Sequence, residues 1–142
     1  MPGIRGVNHV TLVCSDLDRS FAWYRDILGA QPQARWAAGA YLELGALWLC
    51  LEAGLPDARA DDTHLALDCD ASCFADLAAR IKAASVLWKE NRSEGASLYF
   101  LDPDGHKLEL HVGDLRTRLA AYESRDDVEF FPPPVSGRET AS

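Results

Sequence analysis

Apolar and polar residues alternate along much of this 142-residue chain, and twice the alternation gives way to a helical stripe. Residues 7–14 alternate with a period of two, the mark of a half-buried strand. Asp16 then precedes Leu17, Phe21, Tyr24 and Leu28, whose spacing predicts a helix with Asp16 as its N-cap and Gly29 as its left-handed stop. Strands are predicted at residues 33–36, 41–44 and 47–51, the last two divided by a turn at Gly45.

The second half repeats that order. Residues 64–68 read as a strand, Phe74, Leu77 and Ile81 line one face of a helix, and strands follow at 86–90, 97–101 and 107–112. The D-P-D-G at 102–105 predicts a hairpin turn, with proline setting one position and glycine supplying a positive φ. G-A-Y-L-E-L from Gly39 is echoed by G-A-S-L-Y-F from Gly95, 56 residues on, while His9 and His64 stand 55 apart. Near-equal offsets at two landmarks predict a duplicated module. The expected organisation is one domain over residues 1–122, built from modules at about 6–52 and 63–112 joined by a linker at 52–62. Leu115, Leu119 and Tyr122 predict a short helix after the second module. Residues 123–142, with three consecutive prolines, are expected to form a mobile tail or an arm laid on a neighbour.

Composition narrows the function classes. Apolar content of 48% and charged content of 25% suit a soluble globular protein. A formal charge of −8 argues against nucleic-acid and anionic-membrane partners, without excluding an anionic substrate held by a few local cations. No signal-peptide pattern or spanning run is present, so a cytoplasmic protein is expected. Cys14, Cys50, Cys69 and Cys73 form no C-x-x-C pair and read as reduced, buried, inert thiols.

The candidate chemistry lies in His9, His64 and Glu109, each within or beside a predicted strand. Glu109 shares a strand face with Lys107 and His111, opposite Leu108 and Leu110, and a carboxylate there needs a partner. Any one of the three is ordinary. Together, at repeat-related positions, two imidazoles and a carboxylate suit a divalent metal of the manganese or iron type with open coordination positions. The repeat puts Cys50 at the counterpart of Glu109. His106 reads as a turn-edge residue, and His111 as a support or interface residue.

Longer motifs carry a resemblance. N-H-V-T-L, A-R-W-A-A-G-A-Y-L-E-L-G-A-L-W-L-C-L and W-K-E-N-R-S-E-G-A-S-L-Y-F-L-D-P-D-G-H-K-L-E-L-H-V-G-D-L-R-T-R-L resemble the FosA-type, metal-dependent fosfomycin-glutathione transferases of the vicinal oxygen chelate superfamily, from about Gly6 to Leu119. The resemblance implies an α+β fold of paired βαβββ modules forming an open, cup-shaped sheet. It implies a homodimer whose sites are shared, His9 coming from one subunit and His64 with Glu109 from the other, around Mn²⁺. Thr11, Trp48, Lys89, Ser93, Ser97, Tyr99 and Arg118 would bind fosfomycin, most of them at its phosphonate. Thr11 and Tyr99 would also be catalytic. Asn91, Ser93, Gly95 and Ser97 would bind an activating K⁺, and Tyr41 would lie toward the channel for glutathione, the co-substrate.

Two residues depart from that pattern or discriminate within it. Asp62 stands where an aromatic residue is expected near the site, which bears on the thiol side or the substrate edge. Related hydrolases carry a water-activating glutamate near Gly39, and glycine here speaks for thiol addition. The competing readings are hydrolysis of the same epoxide, transfer of another thiol such as bacillithiol, an iron-dependent ring-cleaving dioxygenase, and a metal-free drug-binding protein of the same fold.

Overall fold

A computed structural model of the chain describes residues 3–133. Its elements run β1 (His9–Cys14), α1 (Leu17–Asp26), β2 (Gln31–Trp36), β3 (Gly39–Leu44), β4 (Leu47–Ala53), β5 (Leu65–Asp68), α2 (Ala71–Ala84), β6 (Leu87–Lys89), β7 (Ser97–Leu101), β8 (Lys107–His111) and α3 (Leu115–Ala121). Strand–helix–three strands thus occurs twice. Of the expected tail, residues 134–142 lie outside the described part, and no strand or helix is assigned between residues 123 and 133.

Local chemistry places the boundaries. The Asp16 carboxylate accepts from the Arg19 amide at the start of α1, and Asp70 does the same for Ser72 at α2, satisfying amides that lack a partner within the helix. Gly29 at φ 77° lets the Ala30 amide return to the Tyr24 carbonyl at 3.0 Å. Gly105 at φ 86° closes the hairpin, its amide donating to the Asp102 carbonyl at 3.0 Å. Several bounds differ from expectation. β2 begins two residues early, β6 is shorter than predicted, and His64 sits one residue ahead of β5.

Two four-stranded sheets result, ordered β1-β4-β3-β2 and β5-β8-β7-β6. Each has one parallel pair, β1 with β4 and β5 with β8, and each leaves its module's first strand as an edge. Their apolar faces meet α1 and α2 in one core. Tyr24, Leu42, Leu49, Ile81, Phe100 and Leu108 are its large, fully buried side chains, drawn from both modules.

The register refines the repeat. Cys50 lies between Thr11 and Tyr41, and Glu109 lies between Ala66 and Tyr99, so those two positions correspond. His9 and His64 match at an offset of 55, but Tyr41 matches Tyr99 at 58 and Cys50 matches Glu109 at 59. The echo between Gly39 and Gly95 is therefore two residues out of structural register, because the connections in the second module are longer.

A buried polar cluster ties the modules together at the D-P-D-G turn. The Tyr24 hydroxyl donates to Asp102 Oδ2 at 2.8 Å, while Asp102 Oδ1 accepts from the amides of Asp104 and His106, both at 2.9 Å. Burial and the Asp102 charge hold the Tyr24 hydroxyl well above its usual titration range. Asp104 accepts from the Ser15 amide and hydroxyl and from Arg19. His106 does more than edge the turn, since its Nε2 meets the Val13 carbonyl of β1 at 2.6 Å.

Two of the four cysteines differ from expectation. Cys14 and Cys50 are buried, but Cys69 is half-buried and Cys73 exposed, because they flank the solvent-facing start of α2. Desolvation raises the Cys14 thiol above its ordinary range.

Candidate metal and anion site

Antiparallel pairing of β7 and β8 sets Ser97 opposite His111 and Tyr99 opposite Glu109, so all four side chains leave one face of the second sheet. Leu98, Leu108 and Leu110 leave the other face and enter the core. Glu109 is 5% exposed. Carboxylate burial of that depth demands compensation.

His64 supplies part of it. Its Nε2 lies 3.0 Å from Glu109 Oε1, and its Nδ1 lies 2.6 Å from the Asp62 carbonyl. A carbonyl only accepts, so Nδ1 donates to it, and Nε2 is the ring atom turned toward the carboxylate. A cation set between these two atoms would be held by both. Metal–ligand bonds of about 2.1 Å at right angles place two donor atoms about 3.0 Å apart, so this pair fits a divalent ion. Hydrogen bonding through the other ring nitrogen is how metal-ligating histidines are commonly oriented.

Glu109 Oε2 accepts from the Ser97 hydroxyl at 2.7 Å, and that hydroxyl sits 2.6 Å from His111 Nδ1. Ser97 has one proton to give, and here it goes to Glu109. Ser97 thus orients the carboxylate, and His111 supports Ser97. The line continues outward. His111 Nε2 approaches Glu94 Oε1 at 3.6 Å, and Glu94 takes a 2.7 Å hydrogen bond from Arg118 Nε. Arg118 holds the Glu94 carboxyl below its usual range and is itself raised by it.

The loop between β6 and β7 is closed on itself. Asn91 donates to the Gly95 carbonyl at 2.9 Å and accepts from the Ser93 amide and hydroxyl. A side chain at Gly95 would strike the Val112 carbonyl at 2.5 Å, and φ there is 78°. Lys89 extends over the Tyr99 ring, 5.1 Å from its centroid, and pairs with Asp62 at 3.1 Å. Sequence reasoning passed over Trp88. Its ring lies 5.5 Å from His64 and 5.3 Å from Tyr99, with Nε1 donating to the Leu108 carbonyl. Its position beside Lys89 in a short strand gave no sign of which way it faces.

The first sheet carries a separate group. His9 and Thr11 share one face of β1 and pair with Trp48 and Cys50 of β4, with Tyr41 opposite Cys50. His9 Nδ1 lies 2.7 Å from Asn8 Oδ1. Its ring stacks at 4.5 Å on Trp48, which meets Tyr41, which in turn meets Trp36. These residues line a cavity of about 480 Å³. Trp36 was not singled out from sequence, and it explains Gly39. A Cβ there would lie 2.8 Å from the Trp36 ring and 2.9 Å from the Leu51 carbonyl.

The two groups do not meet within one chain. Among the described residues no three His, Cys, Asp or Glu side chains gather closely enough to hold an ion, so His9 stands apart from His64 and Glu109.

Comparison with known proteins follows the same lines. The model of the Glyoxalase/Bleomycin resistance protein/Dioxygenase superfamily matches residues 6–110. Glutathione transferase FosA of Serratia marcescens is 48% identical, over 83% of this chain and 88% of its own. Metallothiol transferase FosB of Staphylococcus epidermidis is 37% identical, over 90% of this chain and 99% of its own. The crystal structure of the fosfomycin resistance protein FosX of Listeria monocytogenes, complexed with Mn(II) and a sulfate ion, superposes with a TM-score of 0.74 at 30% identity, covering 84% of this chain and 98% of that one. The chain belongs to the Glyoxalase/Bleomycin resistance protein/Dioxygenase superfamily and, within it, to the FosA-type proteins.

Proposed function

We propose that this protein is a metal-dependent fosfomycin-glutathione transferase. The observation that carries the reading is His64 Nε2 set 3.0 Å from a buried Glu109 carboxylate, each oriented by its own hydrogen bond. The relatives support the chemistry, since FosA is a glutathione transferase and FosB a metallothiol transferase.

His64 and Glu109 would hold the ion with His9 of a second subunit. The edge strands β1 and β5, two of the four edges, support such a dimer, because unpaired edges are normally covered. Ile4 and Val7, just ahead of β1, are strongly exposed apolar residues that an interface would bury. When bound, a Mn²⁺ ion would act as a Lewis acid toward the epoxide oxygen.

The rest is the work of the chain's own residues. Lys89 and Arg118 supply positive charge for the phosphonate, with hydroxyls from Thr11, Ser93 and Tyr99 as further donors. Ser97 contributes by fixing Glu109. Trp48 packs against the substrate, and Tyr41 and Trp36 line the approach of the thiol. The thiolate sulfur of glutathione bonds to one ring carbon, the carbon–oxygen bond there breaks, and a proton ends on the ring oxygen. Holding both reactants in line is where positioning residues contribute. The loop at Asn91, Ser93, Gly95 and Ser97 would carry K⁺, its carbonyl and hydroxyl oxygens being suitable hard donors. Hydrolysis is disfavoured at Gly39, where the Trp36 ring fills the space a water-activating side chain would need.

The test is purified protein with fosfomycin and glutathione, with and without added Mn²⁺. The expected product is the 1:1 adduct by mass, formed only with metal. A hydrated product, or turnover indifferent to metal, overturns the reading.

A further inference from the structure

Lys89 is already occupied. Its ammonium lies 3.1 and 3.4 Å from the two carboxylate oxygens of Asp62. The placement of Asp62 is fixed by its backbone. The Asp62 carbonyl anchors His64 Nδ1 at 2.6 Å, the neighbouring Asp61 carbonyl takes Lys107 Nζ at 2.5 Å, and the Asp61 side chain takes the Thr63 amide at 3.0 Å. The segment that orients His64 therefore also holds a negative charge at the mouth of the same site.

We infer that Asp62 is a specificity-determining residue, a built-in counter-anion that biases the pocket beside His64 against doubly charged oxyanions and toward singly charged ones. The inference rests on the reading above, in which Lys89 receives the anionic group of the substrate. Side chains of Lys89 and Asp62 are 40% and 67% exposed, so the pair is wet and an incoming anion displaces it at little cost. The charge cannot leave with the displacement. Its backbone is tied, so the carboxylate stays within one side-chain length of the bound anion. A unit charge about 6 Å from a dianion in a water-like medium weakens binding about tenfold, and about threefold for a monoanion. Physiological salt trims both figures, because the separation is comparable with the screening length. Arg118 stands in the same relation to Glu94, so the second cation assigned to the phosphonate is likewise countered.

Sulfate and methanesulfonate test this directly, since their charges of −2 and −1 do not change near neutral pH. Binding of each is measured by calorimetry to the full-length protein and to Asp62→Asn, with and without Mn²⁺. The expected result is about a tenfold gain for sulfate and about threefold for methanesulfonate. In a Lys89→Met background the difference between the two anions should shrink for both proteins. Asp62→Ser serves as a second neutral variant and should behave as Asn does. Unchanged or weaker sulfate binding, or equal gains for both anions, overturns the inference. Under turnover, Asp62→Asn should lower KM for fosfomycin. Should neither protein consume fosfomycin while the sulfate gain appears, the transferase reading fails and the counter-anion stands.

Discussion

Tyr24→Phe removes one oxygen from the buried joint between the modules, and its cost follows from the hydrogen-bond pattern. Tyr24 is 1% exposed and Asp102 6% exposed. The two amides reaching Asp102 both bond Oδ1, so Oδ2 has the Tyr24 hydroxyl as its partner. Hydrogen bonds to charged groups contribute about 1.5–3 kcal/mol, and a buried acceptor left without a partner loses the full desolvation term. The packing is untouched, since phenylalanine keeps the edge contact with Trp23 at 4.8 Å. We therefore expect a loss of about 2–3 kcal/mol. With a urea dependence of about 2 kcal/mol per molar, the unfolding midpoint should fall by about 1 M at unchanged slope. The measurement is equilibrium urea unfolding followed by tryptophan fluorescence, at fixed protein concentration. A midpoint shift under about 0.3 M would refute the reasoning, because it would mean that the joint is hydrated or dispensable.

The same hydroxyl predicts a pH dependence. Its folded pKa is raised above the unfolded value of 10.0, so its contribution is complete below pH 10 and is lost as pH rises beyond it. Wild-type protein should lose stability faster than Tyr24→Phe above pH 10, and parallel curves would contradict this. Glu109→Gln should abolish turnover and leave the elution volume on gel filtration unchanged. It should also remove the stabilisation of about 2.7 kcal/mol that Mn²⁺ at a hundredfold its Kd gives a site-competent protein, read as a lost rise in melting temperature. Gly95→Ala should cost at least about 1–3 kcal/mol, because it forces a left-handed φ and sets a methyl group 2.5 Å from the Val112 carbonyl. Stability equal to wild type by thermal melting would show that the loop relaxes. Asp16→Ala should cost about 1 kcal/mol through the lost α1 cap, checked by the same melts.

Much of this was legible from the chain alone, because it depends on neighbours in sequence. Alternation predicted the strand order, Asp16 and Gly29 marked the ends of the first helix, and D-P-D-G marked its hairpin. Side-chain parity along β8 separated Glu109 from Leu108 and Leu110 before any pairing was known. Glu109 was singled out for the same reason, as a charge where a strand pattern leaves no cheap place for it, and His64 by its place 55 residues after His9.

What only the tertiary structure decided concerns partners distant in sequence. Ser97 gives its proton to Glu109 because β7 and β8 pair in one register and not the neighbouring one. The echo at Gly39 and Gly95 suggested equal spacing, but the register grows by a few residues where connections lengthen. Asp62 and Lys89 are 27 residues apart, and nothing local says that their charges cancel. Trp36 over Gly39, Tyr24 on Asp102 and the separation of His9 from His64 are of the same kind. Periodicity records which way a side chain points, but the group it meets depends on how separate strands are brought together.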